Sequence, residues 1–135
     1  MKYIDLGLPS GNLWAEQNEE GYYTFDEAVA KFGDCLPTKE DFEELVAHCW
    51  KRWDNERKGM ELMSDNGAKI FFPALGWVCN EKSLDTDSCY CWTDTEYNDK
   101  FGYYVRFNES GCSSLTCGYM SDKNTVRLIK RGGTQ

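Results

Sequence analysis

Residues 88–98 read SCYCWTDTEYN, and this stretch decides how the second half of the chain folds. Alternation along an extended strand sends Cys91 and Thr93 to one face and Tyr90, Trp92 and Asp94 to the other. The aromatic side chains favour burial, whereas the last residues of the stretch are polar and show no apolar period. The stretch therefore predicts a core strand that runs into a surface loop.

The composition of the whole chain favours one domain rich in short strands and turns. The chain has 135 residues, which we interpret as a single domain spanning residues 1–135. Aromatic residues make up 15% of it, glycines number twelve and prolines only three, a mixture that suits strands and turns better than a helical bundle. A chain of this length buries enough apolar surface to fold without a metal or a disulfide.

The charge distribution excludes one class of partner. The formal net charge is −8, from 23 acidic and 15 basic residues. The basic pair Lys51 and Arg52 is followed at once by Asp54 and Glu56, so the sequence contains no basic stripe. Since binding to phosphate backbones depends on such a stripe, we predict no nucleic-acid partner.

The N-terminal sequence and the cysteines bear on the cellular compartment. MKYIDLGLPSG has neither the basic nor the apolar segment of a signal peptide, and no apolar run approaches the length of a membrane span. We expect a protein made in the cytosol without a signal peptide and without membrane insertion. Seven cysteines leave at least one unpaired within the chain, and reduced thiols are the expectation in that compartment.

Two helices are predicted near the start of the chain. Residues 24–27 and 38–41 each begin with threonine and end with an acidic residue, the pattern of a capping box. An amphipathic stripe at helical spacing follows the second box, and we expect the second helix to continue along it. Its members are Phe42, Leu45, Val46, Cys49, Trp50 and Trp53.

The rest of the chain predicts strands and loops. Asp65-Asn66-Gly67 favours a tight hairpin turn. The predicted strands are residues 60–63, 68–73, 74–79, 90–95, 102–108, 114–120 and 125–130. The predicted loops are residues 80–88, 95–100 and 118–124. Two helices followed by an antiparallel sheet predict an α+β domain.

Five motifs occur in an order that resembles the Fibrobacter succinogenes major paralogous domain family. The matching segments are DLGLPSGNLWA (5–15), LPTKEDFEELV (36–46), NGAKIFFPALGW (66–77), YCWTDT (90–95) and NTVRLIK (124–130). The resemblance covers nearly the whole chain. It implies a C-type-lectin-like fold with two N-terminal helices packed on a looped antiparallel sheet, and burial of Trp92 against the helices.

The departures from the family pattern bear on the biological context. The compact EEGYYTFDEA (19–28) stands where relatives carry an insertion, Cys35 replaces the usual arginine, and Leu128 replaces the proline of the terminal VRPV. The resemblance implies a short, phage-type variant from the Bacteroidota setting of the family, carried outward on a virion. Related lectin-like domains are variable tips diversified by retroelements; whether residues 80–124 are diversified stays open.

We predict no metal site, no cofactor and no enzymatic activity. The calcium loop of sugar-binding C-type lectins is missing, and Asp94 after Trp92-Thr93 supplies one carboxylate, short of a calcium ligand set. The Cys89-x-Cys91 and Cys112-x4-Cys117 spacings differ from a zinc knuckle, so small buried or surface thiols are the preferred interpretation. The sole histidine, His48, has no partner motif for catalysis. The formylglycine-generating enzymes, which have a related fold and use cysteines, keep an enzymatic alternative open by analogy alone.

The predicted ligand site is a set of tyrosines and short polar residues in the later loops. Such residues on a rigid sheet resemble an antibody paratope, where tyrosine supplies contact area and short polar side chains supply hydrogen bonds. The alternative is that these loops are merely solvated. The predicted ligand-binding residues are Asp94, Tyr97, Asn98, Asp99, Tyr104, Tyr119 and Asn124.

The functional hypothesis is a non-catalytic binding module. We expect a receptor-binding or adhesin domain of a phage or mobile element that recognises a bacterial surface glycan or protein through these loops. The alternative is a structural subunit for virion decoration or assembly, which uses the same fold to contact other virion proteins. Homo-oligomer formation stays open under both hypotheses.

Overall fold

The computed structural model describes residues 2–110 and 113–132. Its strands are short and mostly antiparallel to their neighbours. They are β1 (Tyr3–Asp5), β2 (Leu13–Ala15), β3 (Cys49–Asp54), β4 (Gly59–Ser64), β5 (Lys69–Pro73), β6 (Trp77–Cys79), β7 (Lys82–Leu84), β8 (Ser88–Glu96), β9 (Phe101–Asn108), β10 (Ser113–Tyr119) and β11 (Ile129–Lys130).

Both predicted helix starts are confirmed. α1 spans Phe25–Phe32 and α2 spans Lys39–His48, with a short 3-10 turn between them. Each helix begins at a complete capping box, since Thr24 and Thr38 accept from the third helical N–H while Glu27 and Asp41 accept from the threonine N–H. These boxes satisfy backbone donors that a helix start otherwise leaves unpaired.

The predicted continuation of the second helix is wrong. α2 ends at His48, and the six residues that follow form β3, which pairs in full with β4 from Cys49 opposite Ser64 to Asp54 opposite Gly59. The helical spacing of Cys49, Trp50 and Trp53 is therefore coincidental. Tertiary pairing prevails here because tryptophan packs well on a pleated surface and each strand residue gains ladder hydrogen bonds.

The predicted fold class is also wrong. Strands hold 45% of the residues and helices 17%, so the protein is mostly β rather than α+β. The lectin-like arrangement of two N-terminal helices on one looped antiparallel sheet does not form. Instead, the strands of the described residues group into four small sheets with orders β1-β2-β11, β3-β4-β5, β6-β7 and β8-β9-β10.

The predicted hairpin is confirmed, whereas one predicted loop and one predicted strand differ from the structure. β4 and β5 pair on either side of Asp65-Asn66-Gly67, as the hairpin signal predicted. The predicted loop 80–88 contains β7, which pairs back onto β6. The predicted strand 125–130 is reduced to β11, preceded by isolated bridges.

The main core lies between the sheets and α2. Its aromatic centre is a chain of rings: Trp14 contacts Phe42 at 4.9 Å between centroids, Phe42 contacts Phe72 at 6.5 Å, and Phe72 contacts Phe107 at 5.2 Å. All four side chains are fully buried. This cluster joins β2, α2, β5 and β9, so it holds three sheets together.

A second, smaller core lies under α1. Phe25 and Ala28 of α1 pack with Trp92 of β8, and the Phe25 and Trp92 rings meet edge to face at 5.4 Å. The indole Nε1 of Trp92 donates to the Tyr23 carbonyl at 2.7 Å. Trp92 is thus buried against a helix, as the resemblance implied, and its polar atom is satisfied.

The buried side chain of Arg127 links segments that are distant in the sequence. It is fully buried, its Nη1 donates to the Ala15 carbonyl at 3.1 Å, and its Nε donates to Asn18 Oδ1 at 2.8 Å. The guanidinium also donates to the Phe71 carbonyl and lies 4.1 Å from the centroid of the Phe72 ring. Burial lowers the pKa of Arg127 to about 10.

Within the described ranges, neither helix has the length and apolar character needed to cross a membrane.

Candidate functional site

An aromatic cavity opens on one face of the β8-β9-β10 sheet. Its volume is about 120 Å³. Most of its lining is aromatic, with one carboxylate and one amide. The lining residues are Trp77, Tyr90, Trp92, Gly118, Tyr104, Tyr119, Asp122 and Asn124. We call this feature the aromatic cavity.

Strand register brings the central rings together. Trp92 of β8 lies directly opposite Tyr104 of β9, and Tyr90 lies opposite Arg106. Because alternate residues of a strand share a face, Tyr90, Trp92 and Tyr104 all lie on the same side of the sheet. The Tyr104 ring lies 5.4 Å from the Tyr90 ring and 6.1 Å from the Trp92 ring, between centroids.

The β6-β7 hairpin supplies the remaining large ring. Trp77 begins β6 and lies 6.4 Å from Tyr90 between ring centroids. Gly76 allows the chain to enter this hairpin. Its φ is +66°, and a Cβ there would overlap the Leu84 carbonyl oxygen. The bridge between Val78 and Lys123 then brings the segment with Asp122 against the same hairpin.

The rings are inclined to one another rather than stacked. The interplanar angles are 82° for Trp92 with Tyr104, 49° for Tyr90 with Tyr104, and 54° for Trp77 with Tyr90. Inclined rings form the walls of a box, whereas stacked rings would fill it. Gly118 has no side chain and therefore lets the Tyr104 ring lie against β10, since a Cβ there would meet that ring at 2.8 Å.

Asn124 gives the cavity a polar group with no partner. It is only 3% exposed, and its backbone is held by two hydrogen bonds with Tyr23. Its side-chain amide makes no hydrogen bond to any residue in the described parts of the chain. Among the described residues, the only fully buried side-chain nitrogen or oxygen without a partner is Trp14 Nε1, so the Asn124 amide is not sealed from the cavity and is available to a ligand or to water.

Asp122 gives the cavity its charge. No ion pair among the described residues includes Asp122. Its carboxylate lies near the Cys79 thiol and the Tyr104 phenol. Burial is the main cause of the raised pKa of Cys79, and the Asp122 charge raises that pKa further. The same charge is a smaller cause of the raised pKa of Tyr104. Burial is the main cause of the raised pKa of Tyr104, which keeps that phenol neutral.

The only cation beside the central rings is compensated in the described structure. Arg106 Nε donates to the Tyr90 hydroxyl at 2.9 Å, and its Nη2 lies 3.2 Å from Asp85 Oδ2. Tyr90 donates to Asp85 in turn, and this bond is the main reason that the pKa of Asp85 is lowered. Burial, followed by the Asp85 hydrogen bond, raises the pKa of Tyr90 to about 12. Asp122 therefore leaves the cavity with an excess of negative charge.

The structure brings three of the seven predicted ligand-binding residues into the cavity. They are Tyr104, Tyr119 and Asn124. Tyr119 is 59% exposed and stacks at a tilt on Phe101, with 4.8 Å between ring centroids. Tyr104 is half-buried, so it is a wall of the cavity rather than an outward-facing ring.

Three more of the predicted residues lie in the turn between β8 and β9. Tyr97 is 58% exposed and meets the Tyr103 ring edge to face at 5.8 Å. Asn98 Oδ1 accepts from the backbone N–H groups of Lys100 and Phe101, both at 2.9 Å, so its side chain closes the turn. Asp99 is exposed.

The turn adjoins the cavity through the end of β10. The N–H of Met120 donates to the Lys100 carbonyl at 2.9 Å, and Tyr119 pairs with Phe101. The turn therefore adjoins the strand end that carries Tyr119. The Tyr97 ring packs on Tyr103 instead, which alternation places on the opposite face of β9 from Tyr104, beside Lys39 of α2.

Asp94 lies apart from the other predicted residues. Its N–H donates to the Pro37 carbonyl at 2.9 Å, which places it beside the start of α2. Its side chain accepts from the Thr95 hydroxyl at 3.3 Å, and burial raises its pKa. The structure does not bring it to the cavity.

Sequence reasoning missed Trp77, Tyr90, Trp92 and Asp122 as lining residues. Alternation correctly placed Tyr90 and Trp92 on one face, and their predicted burial is confirmed, but the cavity that they border was not predicted. The signal that was available is Gly118 in the neighbouring strand, because only a glycine there admits the Tyr104 ring, which a Cβ would meet at 2.8 Å. Trp77 lies in the predicted strand 74–79, but its position depends on pairing with β7, inside a segment that the sequence predicted to be a loop.

The thiols and acidic groups form no metal cluster within the described residues. Cys89 and Cys91 are buried, and burial raises the pKa of Cys89 to about 12 and also raises the pKa of Cys91. Cys89 Sγ donates to the Phe72 carbonyl at 3.1 Å, and Cys91 Sγ lies 3.3 Å from Thr125 Oγ1. Cys112 lies outside the described residues, so its relation to Cys117 is not described.

Comparison with protein-family models, with curated proteins and with solved structures finds no match to this chain. The resemblance to the Fibrobacter succinogenes major paralogous domain family therefore stays a prediction.

Proposed function

We propose that this protein is a non-catalytic module that binds a bacterial surface glycan or protein through the aromatic cavity and the turn beside it. The observation that supports the proposal most is the combination of inclined aromatic walls with the unpartnered amide of Asn124. Pockets that are mostly aromatic with a few convergent polar groups are the common form of ligand sites.

This end of the sheet carries two exposed phenol rings, Tyr119 at the cavity and Tyr97 beside Tyr103. Tyr97 and Tyr119 are each more than half exposed, at 58% and 59%. Rigid aromatic side chains on a loop rim offer contact area at a small entropic cost. Burial of each ring contributes about 1.5–3 kcal/mol, so a few such contacts give weak to moderate affinity.

Weak single sites suit display in many copies. Several domains on one particle bind one surface with an avidity far above the affinity of each site. The phage or mobile-element setting is part of the proposal and rests on the family resemblance alone.

The proposal predicts that Tyr97→Ala with Tyr119→Ala abolishes binding and leaves the melting temperature unchanged. The measurement is binding of the fluorescently labelled protein to a panel of gut Bacteroidota cells and to a glycan array. Trp50→Ala is the matched control, because Trp50 is 65% exposed but belongs to β3, in a different sheet. If the double variant binds as the wild type does, or if it unfolds, these rings are not the contact surface.

A second candidate function is a structural subunit of a virion. It is favoured by β3, an edge strand whose residues Trp50, Lys51 and Arg52 are exposed. An edge strand with an exposed tryptophan is a site where another chain can add to the sheet. A defined oligomer in light scattering that Trp50→Ala dissociates would favour this candidate over the first.

A further inference from the structure

The aromatic cavity combines two features that select for a positive charge. Aromatic rings carry a negative face, and cations are attracted to that face when they come within about 6 Å of the ring centre. Trp77, Tyr90, Trp92 and Tyr104 line the cavity as inclined walls. The Asp122 carboxylate on the same wall has no cationic partner among the described residues.

The size of the cavity limits what can enter it. Its volume of about 120 Å³ is somewhat smaller than a cavity of roughly 150 Å³, which holds one benzene molecule. A compact group of four or five non-hydrogen atoms therefore fits, whereas a whole sugar ring with its hydroxyls does not. Any sugar of the ligand would lie at the rim, against Tyr119.

Besides its phenols, the cavity is lined by only two polar side chains, and neither of them is cationic. Asn124 offers an unpaired amide, and Asp122 offers acceptors. Burial raises the pKa of the Tyr90 and Tyr104 phenols, so both stay neutral, and the guanidinium of Arg106 is held by Asp85 and Tyr90. No free cation among the described lining residues is present to attract an anion, so an anionic ligand would meet only repulsion from Asp122.

We propose that the aromatic cavity binds a methylated ammonium group, such as a trimethylammonium group carried by the ligand. This inference rests on the proposed binding function and names the chemistry that the site recognises. The rings face the methyl groups, which spread the positive charge over a surface too apolar for strong hydration. Asp122 supplies the counter-charge at the cavity wall.

Several rings are needed because one exposed ring binds a cation only weakly. A cation over one exposed ring gains about 0.5–1 kcal/mol, and desolvation within a box of rings raises this to about 2 kcal/mol or more. Trp92 is fixed by its bond to the Tyr23 carbonyl and by the contact with Phe25, so that wall is rigid before the ligand arrives. A preformed box loses little entropy when it binds.

The test compares choline with its neutral isostere, in which a tert-butyl group replaces the trimethylammonium group. Each is titrated into the labelled wild-type protein, and binding is followed by NMR. We expect choline to bind with a dissociation constant in the millimolar range, and the isostere to bind about tenfold more weakly or worse. Equal affinity for the two compounds would overturn the inference, because shape alone would then explain the site.

Two matched variants separate charge from fold. Asp122→Asn keeps the shape of the side chain and removes its charge, and we expect it to weaken choline binding about fivefold or more. Asp65→Asn removes the same charge from the exposed turn between β4 and β5, in another sheet, and should leave choline binding unchanged. Choline binding that resists Asp122→Asn, in a variant with an unchanged melting temperature, would contradict the role of Asp122.

Competition on cells keeps the two proposals distinguishable. If choline binds the cavity and displaces the protein from bacteria, both proposals are supported. Displacement from a trimethyllysine peptide supports the ammonium inference and identifies a protein as a possible source of the group. If the protein binds cells but neither binds choline nor is displaced by it, the ammonium inference fails and the binding function stands. If choline binds but no bacterial surface is recognised, the binding function fails and the ammonium inference stands.

Discussion

The two faces of the β8-β9-β10 sheet are built from adjacent residues and behave in opposite ways. One face carries Cys89, Cys91, Val105 and Phe107, all buried in the main core. The other carries Tyr90, Trp92 and Tyr104, which surround a cavity of about 120 Å³. The same strands therefore fill one side of the sheet completely. On the other side, the buried rings of Trp92 and Tyr90 and the half-buried ring of Tyr104 border a small cavity.

The difference follows from size and from what lies opposite. Small thiols and a valine let Phe72 and Phe107 come into contact, so the core face fills completely. On the opposite face, the Tyr104 ring lies against Gly118, where a Cβ would meet it at 2.8 Å. The inclined rings of Trp77, Tyr90 and Tyr104 border a cavity of about 120 Å³.

The largest difference between the faces should appear in core truncations. Phe107→Ala removes a fully buried ring and should cost about 3–5 kcal/mol of unfolding free energy. Tyr104→Ala should cost less, roughly 1–3 kcal/mol, because the ring borders a cavity and already lacks packing partners on that side. Urea denaturation of both variants measures this, and equal costs would mean that the cavity face is packed like the core.

The core face should also control stability at alkaline pH. The pKa of Cys89 is raised by burial from 9.0 in the unfolded chain to about 12, so its contribution to stability is complete below pH 9 and is lost as the pH rises toward 12. The free energy of unfolding should then fall by about 1.4 kcal/mol per pH unit for this thiol. Denaturation under reducing conditions at several pH values from 8 upward should show a shallower fall in Cys89→Ala.

Cys35→Ala is the control for this prediction, because Cys35 is exposed. It should reproduce the wild-type pH dependence. An identical pH dependence in Cys89→Ala and the wild type would show that the buried thiol does not govern alkaline stability.

Local features of the fold could be predicted from the sequence. Thr24 and Thr38 begin helices because a capping box satisfies backbone donors within four residues, and Asn66-Gly67 turns the chain for the same local reason. The helix stripe through Trp53 fails because pairing with β4 is decided by residues that lie further along the chain.

The candidate site depended on information that the sequence does not carry. Tyr104 and Tyr119 were found by residue type alone. The walls made by Trp77 and Trp92 depend on the register that sets Trp92 opposite Tyr104, and on a β-bulge between Trp92 and Glu96. A one-residue change of register would reverse which side chains face the cavity, so composition cannot settle it.

The indole N–H resonances of the five tryptophans test the account most directly. Trp77 and Trp92 line the cavity, Trp14 lies in the closed core, and Trp50 and Trp53 belong to β3. The protein is titrated with choline and, separately, with N-acetylglucosamine, and all five resonances are followed. The account predicts that at least one of these compounds shifts Trp77 and Trp92 and leaves the other three in place. Shifts confined to Trp50 and Trp53, or no shift with either compound, would contradict the claim that the aromatic cavity is the ligand site.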